Sequence, residues 1–237
     1  MSKFFYFKLA ITNIKKNAKT YIPYMITSIM TICMFYIICS LSNNPDLSKV
    51  SGTDSMVTVL FLGTIICGIF ATIFLFYTNS FLMKRRKKEF GLYNILGMEK
   101  KHISRVVLCE TVIISLVSLI FGILVGILFD KLMLLILLSM FTVKVPLGFY
   151  ISPQSLKTTI ILFVVIFVVI FLNSIRQIHL AKPIELLHGS SVGEKEPKAK
   201  WLMALIGFVC LGIGYYLAIT TESPISAISI FLLAVIL

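Results

Sequence analysis

Charge is sparse in this chain. Only 14% of its 237 residues are Asp, Glu, Lys or Arg, against about 25% in an ordinary soluble domain. With 58% hydrophobic residues and a mean hydropathy of +0.99, that scarcity excludes a typical water-solvated globular protein. Cysteine provides no framework either. Cys33, Cys39, Cys67, Cys109 and Cys210 are odd in number, lie in or beside apolar runs and form no C-x-x-C pair. They read as small buried hydrophobes rather than disulfide partners or metal ligands. His102, His179 and His188 have no cluster of carboxylates or cysteines around them, so no metal site is expected. No phosphate-binding G-x-x-x-x-G-K-[ST] loop, G-x-S-x-G elbow or H-E-x-x-H pair is found in the sequence, so no catalytic residue and no cofactor bound by this chain is expected. The positive N-terminus is followed by no small-residue cleavage site, which argues against a cleavable signal peptide.

What the chain does have is long apolar runs. Runs near Tyr21 to Leu41, Met56 to Leu82, Ile103 to Phe129, Leu156 to Ile175 and Trp201 to Thr220 match the roughly 20 residues needed to cross a bilayer core about 30 Å thick. A sixth run begins at Pro224 and reaches Leu237, too short to cross unaided, so an incomplete last helix or a cut chain is expected. Leu132 to Val143 is also apolar but short, which suits a continuation of the third helix or an interfacial segment. The predicted fold is therefore all-α, a polytopic transmembrane bundle of about six spans.

The formal net charge is +12, yet the cations sit in loops beside hydrophobic spans, so no nucleic-acid partner is expected. Of 22 Lys and Arg, all but Lys49, Lys131, Lys144 and Lys157 fall on one side of the six-span arrangement. Short basic loops stay inside, which predicts a multi-pass protein of the cell membrane with a cytoplasmic N-terminus. Within residues 1–19, Phe4, Phe7, Ile11 and Ile14 recur at helical spacing opposite Lys8, Lys16 and Lys19. That stripe predicts an amphipathic helix in the inner headgroup layer; a simple charged flank is the alternative.

The segment from Lys84 to Ile103, KRRKKEFGLYNILGMEKKHI, places a short apolar insert between two clusters of cations. On a helix Phe90, Tyr93 and Gly97 share one face, and Leu92 and Leu96 another. Gly91 and Gly97 are poor helix formers that bracket it. A short helix apolar on two sides needs two partners. One is the membrane domain; the other is either lipid, drawn by the cations, or a soluble protein.

KKEFGLYNILGMEKKHI resembles the signature of FtsX-like permeases of ATP-binding cassette systems, through Glu89, Phe90, Gly91, Leu96, Gly97 and Met98. Asn94 departs from it, where a small or basic residue is common. LAITNIKKNAKTYIPYMIT and IRQIHLAKPIELLHG are similar to the branch that handles bacitracin and other cell-wall-active antimicrobial peptides. The resemblance implies a transport subunit rather than an enzyme. It implies a coupling helix at 89–98, with Leu92 and Tyr93 inside it, that docks on a separate ATPase carrying the ATP. It further implies a peptide or lipid-linked cell-wall substrate and a sensor histidine kinase as a second partner. Full-length members of that branch carry more spans and a large extracellular domain, so this chain is expected to be the front part of a longer protein or a truncated or split product.

The expected organisation is an N-terminal helix at 1–19, a four-helix module at 20–175, a cytoplasmic linker at 176–200 and a fifth and incomplete sixth span at 201–237. Gly122 and Gly126 form a G-x-x-x-G step that admits a close helix neighbour. Glu110, about two turns into the third span, is an intramembrane ionisable candidate that could pair with Arg105 or another base. Asp130, beside Lys131, is expected to be solvated. A standalone membrane interaction or immunity protein needs no ATPase and is the rival from another class; a secondary transporter is a weaker one.

Overall fold

The computed structural model describes residues 3–45, 54–140, 151–180 and 201–220, and the regular elements among them are helices. They are α1 (Lys3–Lys16), α2 (Ala18–Ser42), α3 (Asp54–Arg85), α4 (Lys87–Ile95), α5 (Lys100–Met140), α6 (Pro153–Leu180) and α7 (Trp201–Thr220). Among the described residues, α2, α3, α5 and α6 are the helices long and apolar enough to cross a membrane. Among the described residues the span count is thus about four, against about six expected. The predicted fifth span is the helix α7, whose described side chains are all exposed; the sixth lies outside the described residues, as does the linker beyond Leu180.

α5 runs through the apolar stretch after Phe129 without a break, so Leu132 to Met140 continue that helix. No Gly or Pro interrupts the sequence from Ile127 to Met140, which lets the helix propagate. At roughly 1.5 Å per residue its 41 residues reach about 60 Å, well beyond the hydrocarbon thickness.

α5 packs most extensively on α2, along one register. Tyr21 meets Glu110, Ile32 meets Gly122, Tyr36 meets Gly126 and Ser40 meets Asp130. From Ile32 to Ser40 both helices step by four residues, as parallel neighbours at close approach do. A Cβ added at Gly122 would lie 2.8 Å from the Cβ of Ile32, and one at Gly126 would lie 2.9 Å from the ring of Tyr36. Only glycine admits α2 this closely. Asp130 is correspondingly not solvated: it is 5% exposed and accepts a 3.0 Å hydrogen bond from Ser40. The uninterrupted helix turns its side chain onto α2 instead of ending beside it in water.

α3 and α6 complete the core. Ile32, Phe35 and Cys39 of α2 pack with Ala71 and Leu75 of α3 and Phe163, Ile166, Phe167 and Ile170 of α6. Phe35 and Phe163 meet edge to face at 5.7 Å, a geometry favoured by ring quadrupoles. Asn79 donates to Ser174 at 2.9 Å, satisfying two polar groups between α3 and α6.

α1 is helical as the spacing predicts, but its buried face is another one. Tyr6, Ala10 and Asn13 are buried, α1 packing on α5, while Phe7 is half exposed. The polar groups on α5 decide this. Tyr6 hydrogen-bonds His102 at 2.6 Å and Asn13 reaches Glu110, and apolar periodicity cannot register such bonds.

Candidate functional site

α4 lies between the ends of α3 and α5 that carry the cation clusters. One residue, Arg86, separates it from α3. Its own end is set by Gly97, whose φ of +85° is left-handed and suits glycine because no Cβ meets the backbone. The Met98 amide donates to the Tyr93 carbonyl at 2.9 Å and the Gly97 amide to the Asn94 carbonyl at 3.1 Å. Those two bonds, with Tyr93 and Met98 packed on a common cluster, form a Schellman terminator with its usual hydrophobic contact. The L-G-M triplet at 96–98 therefore specifies where α4 stops.

The two apolar faces of α4 separate cleanly. Phe90 is buried with Met83, Ile103, Val107 and Ile178, and Tyr93 and Met98 pack against them. Gly91 is buried as well. Leu92, Ile95 and Leu96 are 51%, 59% and 72% exposed. The inner face seats α4 on α3, α5 and α6. The outer face has no partner among the described residues.

Behind α4 is a buried polar network. Arg86 is 3% exposed, and Glu110 2%. The guanidinium Nη2 donates to Glu110 Oε1 at 3.0 Å, and Nη1 donates to Oε2 of the same carboxylate. Nε donates to Glu89 Oε2 at 3.1 Å. Glu110 also accepts from Asn13 Nδ2 at 3.0 Å and from the Tyr21 hydroxyl at 2.9 Å. Asn17 donates to Glu89 Oε1 at 2.7 Å, and Tyr93 donates to Asn13 Oδ1 at 3.1 Å. Residues of α1, α2, α4 and α5 thus converge on the Arg86 junction. The guanidinium also lies over the rings of Tyr21 and Phe90, 5.2 and 4.8 Å from their centroids, which adds cation–π attraction.

Burial alone would pull the Arg86 pKa down, but the combined attraction of Glu110 and its other partners outweighs it and the net shift is upward. Arg86 therefore stays charged wherever the protein is folded. Glu110 has both carboxylate oxygens doubly satisfied by donors on α1, α2 and the α3–α4 junction, an arrangement that holds helices together. No acceptor capacity is left pointing at a substrate.

Of the residues read from sequence, Glu89, Phe90, Gly91, Tyr93, Gly97, Met98 and Glu110 gather at this junction; Leu92 and Leu96 face away from it. Gly122 and Gly126 lie farther along α5, in the seam with α2. Arg105 is not the partner of Glu110; its guanidinium lies over Tyr6, 5.8 Å from the ring centroid. Arg86, Asn13, Asn17 and Tyr21 were not legible as site residues. Arg86 stands in a run of five cations with nothing to single it out, and the faint signals are its i, i+3 spacing to Glu89 and the i, i+4 spacing of the two asparagines.

Residues 59–180 match the family described as FtsX-like permease C-terminal. The chain is 32% identical over 222 residues to the uncharacterized ABC transporter permease YvcS of Bacillus subtilis strain 168, covering 91% of this chain and 34% of that protein. It is 28% identical over 215 residues to the bacitracin export permease protein BceB of the same strain, covering 89% and 33%. It is 26% identical over 214 residues to the bacitracin export permease protein BceB of Halalkalibacterium halodurans, again covering 89% and 33%. The chain spans about one third of the length of these relatives.

Proposed function

We propose that this chain, which belongs to the FtsX-like permease family, forms the ATPase-docking membrane module of an ATP-binding cassette permease. The observation that carries the reading is the division of α4 into a seated face (Phe90, Gly91, Tyr93) and an open one (Leu92, Ile95, Leu96). A short helix anchored from behind and apolar in front, flanked by cations, suits a groove on a soluble partner.

On this reading the basic ends of α3, α5 and α6 lie in the cytoplasm, as does α1, because Lys and Arg are retained there. ATP binds the partner, whose closure presses on α4. Lys8, Lys15 and Lys16 on the exposed surface of α1 and Lys84 at the end of α3 rest among anionic headgroups. Cell-wall-active peptides such as bacitracin, or the lipid-linked cell-wall target of such a peptide, are the substrate class, supported by the two bacitracin export permeases among the relatives. A sensor histidine kinase is a further partner.

Co-purification tests docking. Changing Leu92 and Leu96 to Asp removes ATPase association from membranes of the native host, while accumulation of that variant in the membrane at the wild-type level serves as the control for folding. Undiminished association of the Leu92/Leu96 variant overturns the docking role.

A further inference from the structure

We propose that Arg86 and Glu110 form the pivot through which displacement of α4 reaches the membrane-spanning helices, with Asn13 of α1 as a second bearing; this rests on the docking reading above. Arg86 occupies the single residue between α3 and α4, the place where α4 would swing. Its guanidinium is tied on one side to Glu89 of α4 and on the other, by two bonds, to Glu110 of α5. Apolar contacts such as those of Phe90 tolerate sliding, whereas a bidentate charged pair fixes both distance and angle. A movement of α4 must therefore carry Glu110 with it or break the pair.

Glu110 belongs to a helix that cannot yield alone. Tyr21 holds it to α2 at one end of the seam, Ser40 and Asp130 join the same two helices at the other, and the glycine contacts lie between. From Glu110 to Asp130 is about 30 Å along the axis, the thickness of a hydrocarbon core. A push at α4 is thus delivered to α2 and α5 as one body. α1 is engaged through Asn13, which accepts from Tyr93 of α4 and donates to Glu110 of α5, and the turn that follows α1 through Asn17, which donates to Glu89. It registers the position of α4 by hydrogen bonds whose geometry fails within a fraction of an ångström to an ångström. Arg86, Glu110 and Asn13 are positioning residues; none needs to touch the ATPase.

The experiment uses the full-length protein with its ATPase, in membranes, with native cysteines replaced and spin labels at Ser139 and Ile151. Two quantities are read: ATPase co-purification, and the change in label distance when ATP is trapped with vanadate. Glu110→Gln and Arg86→Lys are expected to hold the ATPase within about twofold of wild type yet lose at least about half of the distance change. The exchanged pair, Arg86→Glu with Glu110→Arg, recovers part of it. Tyr93→Phe, which removes one hydrogen bond, and Asn13→Ala, which removes two, each reduce the change. Full movement in the Glu110 and Arg86 variants with normal association overturns the pivot. If those variants fail to accumulate, full movement in both Tyr93→Phe and Asn13→Ala overturns it equally. Loss of association in the Leu92/Leu96 variant with retained association here leaves docking intact, so the two readings fail separately.

Discussion

Adding a single methyl group at Gly122 tests whether α2 and α5 form one rigid unit. The new Cβ would stand 2.8 Å from both Cβ and Cγ2 of Ile32 and 3.1 Å from the Ile29 carbonyl oxygen. Carbon pairs settle at about 3.5–4.0 Å, so the intrusion is close to 1 Å. Rotation of the Ile32 side chain moves Cγ2 but not Cβ, and the Ile29 oxygen belongs to the backbone. The helices must separate, and the Ser40–Asp130 bond, now 3.0 Å, stretches with them. Overpacking of this kind costs about 1–3 kcal/mol. For a chain of this size about 1 kcal/mol moves the melting midpoint by roughly 2–4 °C, so Gly122→Ala lowers it by several degrees. The assay is thermal unfolding in detergent, followed by reaction of the buried thiols Cys33 and Cys39 with a thiol-activated fluorophore. An unchanged midpoint would refute the close seam. Ile32→Ala leaves the obstructing Cβ in place, so it restores little of the loss.

At Gly126 the outcome differs. The closest atom is Cδ1 of the Tyr36 ring, at 2.9 Å, with Cβ at 3.3 Å, so Tyr36→Ala relieves much of the clash from Gly126→Ala. The double-mutant cycle should give a coupling of about 0.5–3 kcal/mol; additive losses would contradict it. Gly97→Ala forces a side chain into a left-handed conformation at a cost of about 1–2 kcal/mol, read as faster hydrogen exchange of the last α4 amides, and unchanged protection would oppose the terminator. Phe90→Ala lowers thermal stability by about 3–5 kcal/mol, whereas Leu96→Ala, at an exposed position, stays within about 0.5 kcal/mol; equal effects would mean that α4 is seated by another face. The Arg86 pKa is raised in the folded protein, so its stabilising contribution is fully present below the unfolded arginine value and is lost only as pH climbs through the higher folded one. The midpoint difference between wild type and Arg86→Gln should therefore not shrink through deprotonation of Arg86 between neutral pH and about pH 10; in a background where Glu110 remains ionised, a shrinking difference would contradict the charged pair.

Much of the architecture was legible because it is governed by short-range physics. Apolar runs long enough to cross a bilayer became α2, α3, α5 and α6, and the short apolar segment after Phe129 extended α5. Gly97 ended α4 where its backbone freedom was needed, and the two faces of α4 separated along the helical spacing of Phe90 and Tyr93 against Leu92 and Leu96. The glycines of α5 announced a close neighbour.

Local patterning by itself determined which segments are helical and which runs are apolar enough to span, since hydropathy and backbone propensity act over a turn or two of chain. Only the tertiary structure decided the partners. It took Arg86 from a run of like charges and set it on Glu110, 24 residues away, brought Asn13 to the same carboxylate across 97 residues, and turned Asp130 onto Ser40 across 90. A buried charge is stable only when its desolvation is offset by fixed partners. Which partners are available depends on how the helices pack, a property that no single stretch of sequence contains.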